Sequence, residues 1–175
     1  MKSDELLRFV GRKNTFAMQL DNGGYVPVRR TLTEQDLKDH LAGKNTYGSY
    51  VIQENGKVKF ACIDIDCEIK FLGSYESLAY SIFGLFTDFE RYLEPSGRRG
   101  YHIWLMLKEE ESPTFIKELV KSRLKLLGVN NIEIYPKQDS NTGKGLGSLV
   151  KLPCGIHKKS GKWSTIAVHK QVGEK

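Results

Sequence analysis

Cysteine is scarce in this 175-residue chain: three in all, an odd number, and no two form a Cys-x-x-Cys pair. Neither a disulfide framework nor a zinc ribbon is indicated. The remaining combination, Cys62, Cys67, Cys154 and His157, lacks the spacing of a zinc insertion, and no zinc is expected. Long apolar runs are missing as well. Stretches such as Tyr101-His102-Ile103-Trp104-Leu105-Met106-Leu107 fall far short of the roughly 20 residues that span a bilayer. The opening Met1-Lys2-Ser3-Asp4-Glu5 leads into a short amphipathic segment with no signal-peptide core. No repeat, low-complexity tract or long linker divides the sequence, so residues 1–175 read as one domain, expected to be excised from a longer chain. The chain reads as a cytoplasmic, reduced, soluble domain with no membrane partner. What is present suffices for a core: 39% hydrophobic residues, with 8 Tyr, 8 Phe and 2 Trp, exclude wholesale disorder.

Charge is unevenly placed. Residues 1–136 carry 19 basic and 19 acidic side chains, whereas 137–175 carry eight lysines against Asp139 and Glu174. The whole net charge of +6 therefore lies in the last 39 residues, beside His157 and His169. A local basic field suits a phosphate-bearing partner; a lysine-rich surface kept for solubility is the plainer alternative. Lys137, Lys158, Lys159 and Lys162 are the candidates for nucleic-acid contact.

The patterning predicts a helix over 3–10, β-like segments over 15–20 and 24–29 around Asp21-Asn22-Gly23-Gly24, and a helix over 33–41 capped by Thr33. Strands over 47–53 and 57–66 are joined by Glu54-Asn55-Gly56, a hairpin signal. A longer helix over 74–92 places Leu78, Ile82, Leu85, Phe86 and Phe89 on one face. Then come a strand over 101–107, a helix over 113–127, a strand over 132–135, a loop over 136–147, and strands over 148–152 and 164–169. This order predicts an α+β domain with a mixed or antiparallel sheet covered on one side by helices.

The chemistry concentrates in four places. In Phe60-Ala61-Cys62-Ile63-Asp64-Ile65-Asp66, strand periodicity puts Asp64 and Asp66 on one face. Two adjacent carboxylates repel each other unless a cation neutralises them, and hard divalent ions such as Mg²⁺ or Mn²⁺ bind such pairs. A strand end with both aspartates in water is the alternative. Glu94-Pro95-Ser96-Gly97-Arg98-Arg99-Gly100-Tyr101-His102 places a glycine-bounded basic turn before an apolar strand. Gly97 and Gly100 let backbone N–H groups approach an anion, and Arg98 and Arg99 offer forked donors for phosphate. His102 projects from the strand that follows, as an anion donor or as a structural histidine. Glu133, between Ile132 and Ile134, either completes a three-carboxylate cation site or lies on the exposed side of its strand. Lastly, Lys151 and His157 stand isolated among apolar and turn residues.

The ordered set Asp64-x-Asp66, Ser96-Gly97-Arg98-Arg99-Gly100-x-His102 and Glu133 resembles the three motifs of the archaeo-eukaryotic primase superfamily, over about residues 40 to 160. Tyr47-Gly48-Ser49-Tyr50 and the tail Leu149-Val150-Lys151-Leu152-Pro153-Cys154-Gly155-Ile156-His157 are similar to the primase-polymerases of mobile-element and defence systems, including CRISPR-associated ones. The resemblance implies an N-terminal α/β unit and a C-terminal unit like an RNA-recognition module. It implies a nucleotidyl transferase that joins nucleoside triphosphates on single-stranded DNA, often without a primer, with further domains or CRISPR proteins as partners. Asp64, Asp66 and Glu133 would bind two Mg²⁺ or Mn²⁺ ions, and Ser96, Arg98 and His102 would hold the triphosphate. Lys137, Lys151 and His157 would contact nucleotide or template phosphates. Many relatives have aspartate as the third acid, so Asp139 competes with Glu133; Glu133 is preferred because it sits on a predicted strand.

Two rivals stand beside this reading, one an enzyme and one from another class. A metal-dependent nuclease could use the same acids, but has no need of a triphosphate-gripping turn. A non-catalytic single-strand-binding module would stack bases on strand aromatics and gains nothing from clustered acids that repel phosphate.

Overall fold

The structure, a computed structural model, describes residues 1–66, 74–98, 100–140 and 145–175; Arg99 and Cys67 lie outside these. In chain order the elements are α1 (Ser3–Leu6), a 3-10 turn (Leu7–Phe9), β1 (Phe16–Gln19), β2 (Tyr25–Val28), α2 (Glu34–Leu41), β3 (Tyr47–Tyr50) and β4 (Val58–Ile65). There follow α3 (Tyr75–Gly84), β5 (Glu90–Pro95), β6 (Tyr101–Glu111), α4 (Pro113–Leu124), a second 3-10 turn (Lys125–Leu127) and β7 (Glu133–Tyr135). The chain closes with β8 (Leu149–Lys151), β9 (Ile156–His157), β10 (Lys162–Trp163) and β11 (Val168–Lys170). Each of the three longer helices starts where a hydroxyl caps it: Thr33, Ser74 and Ser112 accept from the N–H groups of Asp36, Ser77 and Phe115.

Among the described residues these strands form two larger antiparallel sheets and a two-stranded ribbon, β9-β10. The first, in the order β2-β1-β3-β8, belongs with α1 and α2 to the N-terminal α/β unit. The second has the order β11-β5-β6-β4-β7. Its β4-α3-β5-β6-α4-β7 succession, with the sheet order β5-β6-β4-β7, is the split βαββαβ arrangement of an RNA-recognition-like unit, with β11 added beside β5. Arg91 of β5 lies over the Phe83 ring of α3 at 4.6 Å, so the helices cover the face that carries Arg91. The other face carries Tyr92 and Trp104, which meet Phe9 of the N-terminal unit edge-on, each at 5.1 Å. One core therefore joins both units, with Phe9, Phe60, Trp104 and Ile82 all essentially inaccessible.

Three expectations are corrected. The Glu54-Asn55-Gly56 turn forms, with the N–H of Gln53 donating to the carbonyl of Lys57, but its flanking strands do not pair. β3 joins the first sheet and β4 the second, because β4 has better partners in β6 and β7. The helix expected over 74–92 stops at Gly84, and 90–95 is a strand. Phe86 and Phe89 continue a helical spacing, but they pack from turns, while β5 pairs with β6 along its whole length. The short β9–β10 ribbon, lying between the strands expected over 148–152 and 164–169, is the third difference.

Candidate active site

Asp64 on β4 stands directly opposite His102 on β6 and Glu133 on β7, and His102 stands opposite Glu94 on β5. Opposed residues share a face, so Glu94, His102, Asp64 and Glu133 form one polar row across four strands. Asp66, just past the end of β4, lines the same cleft as Asp64. This cleft, of about 220 Å³, lies between the row and residues of β1, β2 and β8 in the first sheet. Eight of the residues singled out from sequence line it: Asp64, Asp66, Ser96, Arg98, Gly100, His102, Lys151 and His157. Gln19, Tyr25 and Tyr135 line it too, and were not foreseen.

Burial pushes the Asp64 carboxyl up; His102 opposes this, while the charges of Glu133 and Asp66 add to it. A cation placed between these acids would relieve both penalties, and an all-carboxylate set suits a hard ion. Glu133 is held by other partners. Its carboxylate accepts from the Tyr135 hydroxyl at 3.1 Å and pairs with Lys137 at 2.9 Å. Among the described residues, no three His, Cys, Asp or Glu side chains are grouped so as to hold a metal ion as they stand. Asp64 and Asp66 line the cleft together, while Glu133 is engaged by Lys137. Asp139, the competing third acid, is exposed and pairs with Lys117 of α4.

The basic turn between β5 and β6 is closed by the N–H of Ser96 donating to the carbonyl of Gly100 at 2.8 Å. Gly97 has φ +81°, a left-handed conformation that favours glycine. At Gly100 a Cβ would fall 2.9 Å from the Ile65 carbonyl carbon and 3.1 Å from the Asp66 Cα, so glycine lets the turn lie against the acidic strand end. The β9–β10 turn braces it from outside, where the Ser160 hydroxyl donates to the Gly97 carbonyl at 2.6 Å. His157 Nδ1 accepts from the N–H of Ser160 at 3.2 Å. Burial, then the charges of Lys151 and Arg98, lower the His157 pKa, which leaves a neutral ring beside the turn.

His102 is nearly buried, its Nε2 3.8 Å from an Asp64 oxygen and its Nδ1 3.3 Å from Glu94. Behind it Glu94 is fully inaccessible. Lys151 touches the cleft, but its ammonium is turned inward. It donates to the Ser164 hydroxyl at 2.6 Å and the Leu152 carbonyl at 3.0 Å, and lies 3.6 Å from Glu94. The remaining lysines are spread out. Lys158 donates to the Lys44 carbonyl at 3.1 Å, and Lys159 and Lys162 are exposed on or beside the β9–β10 turn.

Glu94 escaped sequence reading because its segment was assigned to a helix and the residues flanking the basic turn. Had the turn been taken as a hairpin loop, antiparallel counting from Ser96 and Gly100 would have set Glu94 opposite His102.

Comparison with known proteins bears on this geometry. No curated protein matches the chain. Among solved structures, the archaeo-eukaryotic primase domain of the cyanophage S-2L primase-polymerase is similar, with a TM-score of 0.56 at 13% sequence identity, covering 93% of this chain and 83% of that one. At such identity the likeness speaks for the fold alone. The family model described as the TOTE conflict system archaeo-eukaryotic primase domain matches residues 6–172. With nearly its whole length matched, the chain belongs to the archaeo-eukaryotic primase domain family of TOTE conflict systems.

Proposed function

We propose that this domain is a primase-polymerase, which joins nucleoside triphosphates on a single-stranded DNA template. The observation that carries the reading is the meeting, in one cleft, of an acidic pair and an anion-binding turn. Asp64 and Asp66 line, together with Ser96, Arg98, Gly100 and His102, one space of about 220 Å³. Membership of a primase family supports it. A nuclease would need the acids alone.

In this reading Asp64 and Asp66, with Glu133 once it leaves Lys137, hold two Mg²⁺ or Mn²⁺ ions. Bound there, the ions supply Lewis acidity at the 3′-hydroxyl and the α-phosphate. The chain's own contribution is positioning and charge. Backbone N–H groups of the 96–100 turn, the Ser96 hydroxyl and the Arg98 guanidinium grip the β- and γ-phosphates, with Arg99 next in sequence as a second forked donor. His102 presents Nε2 to the phosphates beside Asp64, and His157 and the stem of Lys151 close the side. Lys137, Lys158, Lys159 and Lys162 give the template strand a diffuse basic surface. Residues 1–175 act as one catalytic domain.

The test is incubation with single-stranded DNA, labelled triphosphates and Mn²⁺ or Mg²⁺, with and without a primer. Lengthened or newly started strands are the expected products. Shortened DNA with no triphosphate consumed would replace the reading by a nuclease.

A further inference from the structure

β6 runs for 11 residues, Tyr101–Glu111, but its neighbour β5 pairs with it only as far as Met106, opposite Glu90. On the other side β4 continues past a register shift to Val58, opposite Glu111. Among the described residues, Leu107–Glu111 therefore have no strand partner on the β5 side. This open edge is about 17 Å long at the usual rise of a strand. Where β5 would continue there is a groove of about 550 Å³. Phe89, just before β5, gives it an apolar wall together with Leu107, Phe115 and Ile116. Phe115 is 53% exposed, and Val172, beyond β11, is 43% exposed. The tail after β11 bonds elsewhere, the Gly173 N–H donating to the Thr87 carbonyl at 2.7 Å.

Charge narrows what fits there. The run Leu107-Lys108-Glu109-Glu110-Glu111 sets three carboxylates against one ammonium. Glu110 is engaged by the side-chain amides of Gln53 and Asn55, at 2.9 and 2.7 Å. Glu109 and Glu111 line the groove and make no ion pair among the described residues. Strand alternation puts both on the face of Leu107 and sends Lys108 to the other.

We infer that Leu107–Glu111 accepts an added strand, an extended segment of a partner protein with lysine or arginine at alternate positions to meet Glu109 and Glu111. The open main-chain N–H and C=O groups supply the affinity, and the two acids select the side chains. The exposed Phe115 ring beside them also suits a cation. A second copy of this chain fits badly. Edge-to-edge pairing would lay the acid-rich run against itself, and like charges directly opposite destabilise a sheet. Charges on an open edge can serve only to keep other strands away. That role accounts for the glutamates, but gives no reason for a groove with a half-exposed phenylalanine beside them.

The test uses the full chain and two synthetic seven-residue peptides, one alternating lysine with valine, the other glutamate with valine. Hydrogen exchange followed by NMR reads the Leu107–Glu111 amides directly. At about ten times its Kd, the lysine peptide should slow exchange of the amides on the open side roughly 10-fold. The glutamate peptide should leave them unchanged. Glu109→Lys/Glu111→Lys should exchange the preference, weakening the lysine peptide and strengthening the glutamate peptide by roughly 10-fold each. Should that variant not fold, the choice that the unaltered chain makes between the two peptides is the deciding result. No protection from the lysine peptide at about 1 mM, or equal protection from both peptides, would overturn the inference. Protection that grows with protein concentration in the absence of peptide would give the edge to a second copy, and overturns it too.

Discussion

Gly100→Ala is the most revealing small perturbation of this site, because one methyl group would press the basic turn away from the acids. The new Cβ would lie 2.9 Å from the Ile65 carbonyl carbon and 3.1 Å from the Asp66 Cα, and closer still to the Ile65 oxygen. Ordinary carbon contacts are about 3.5–4.0 Å, and the Ile65 oxygen is the nearest atom of all, so the gap must open by about 1 Å or more. Both neighbours are backbone, which cannot swing aside as a side chain can. The stability loss should be about 1–3 kcal/mol, the usual range for overpacking, which leaves a domain of ordinary stability folded at 25 °C. Turnover should suffer more. A displacement near 1 Å between two halves of a reacting site can reduce rate by about 10²-fold. Gly84→Ala is the control, since no atom lies within 4 Å of its Cβ and it closes α3; it should be neutral or stabilising by up to about 1 kcal/mol. Thermal melts and nucleotide-incorporation kinetics on the two variants make the comparison. A Gly100→Ala protein with unimpaired turnover would refute the idea that the turn and the acid strand end work as one unit.

Three further outcomes are expected. Glu133→Ala should cut nucleotide incorporation far more than Asp139→Ala, because Glu133 stands opposite Asp64 whereas Asp139 is spent on an exposed pair with Lys117, worth at most about 1 kcal/mol of stability; a dead Asp139 variant beside an active Glu133 variant would reverse the assignment. Burial, then the Lys151 charge, lowers the His40 pKa to about 4 from 6.5. The folded state thus binds this proton less readily than the unfolded chain, and the stability present above pH 6.5 drains away as pH falls toward 4, by about 3 kcal/mol; chemical denaturation across that range should show it, and His40→Gln should flatten the slope. Replacing Lys158, Lys159 and Lys162 together by Ala should weaken DNA binding and reduce its log–log salt slope by roughly 0.7 for each phosphate no longer neutralised, with nucleotide KM at saturating DNA unchanged; an unaltered salt slope in fluorescence titrations would move the template elsewhere.

Much of the site was legible because its parts are local. Asp64 and Asp66 share a face by strand periodicity, and the 96–100 turn is continuous in sequence, so type and spacing sufficed to bring them forward. Glu133 was chosen over Asp139 for lying on a strand, and it does lie there, although its present partner is Lys137. Less legible was whatever depended on pairing across distance. β5 buries Arg91 and Glu94, so its alternation is disguised by two charged residues that lie inside. The same burial concealed the charge that stands behind His102. The strands flanking Asn55-Gly56 carried a correct turn signal, but a turn does not determine that its neighbours pair when β6 and β7 offer β4 a two-sided place. Lys151 looked like a free cation in sequence; only its tertiary neighbours Ser164 and Glu94 turn its ammonium inward.

The central claim, nucleotidyl transfer at the paired aspartates, is tested most directly by pyrophosphate release measured alongside nucleotide incorporation on single-stranded DNA with saturating Mn²⁺, comparing the unaltered domain with its Asp64→Ala/Asp66→Ala variant. Because burial, and after it the charges of Glu133 and Asp66, raise the Asp64 pKa against the pull of His102, removing both charges relieves a net penalty, and the variant should melt no lower than its parent at pH 7. The account predicts one pyrophosphate per nucleotide incorporated by the unaltered domain and neither product from the folded variant. Near-normal incorporation by the folded variant would contradict it.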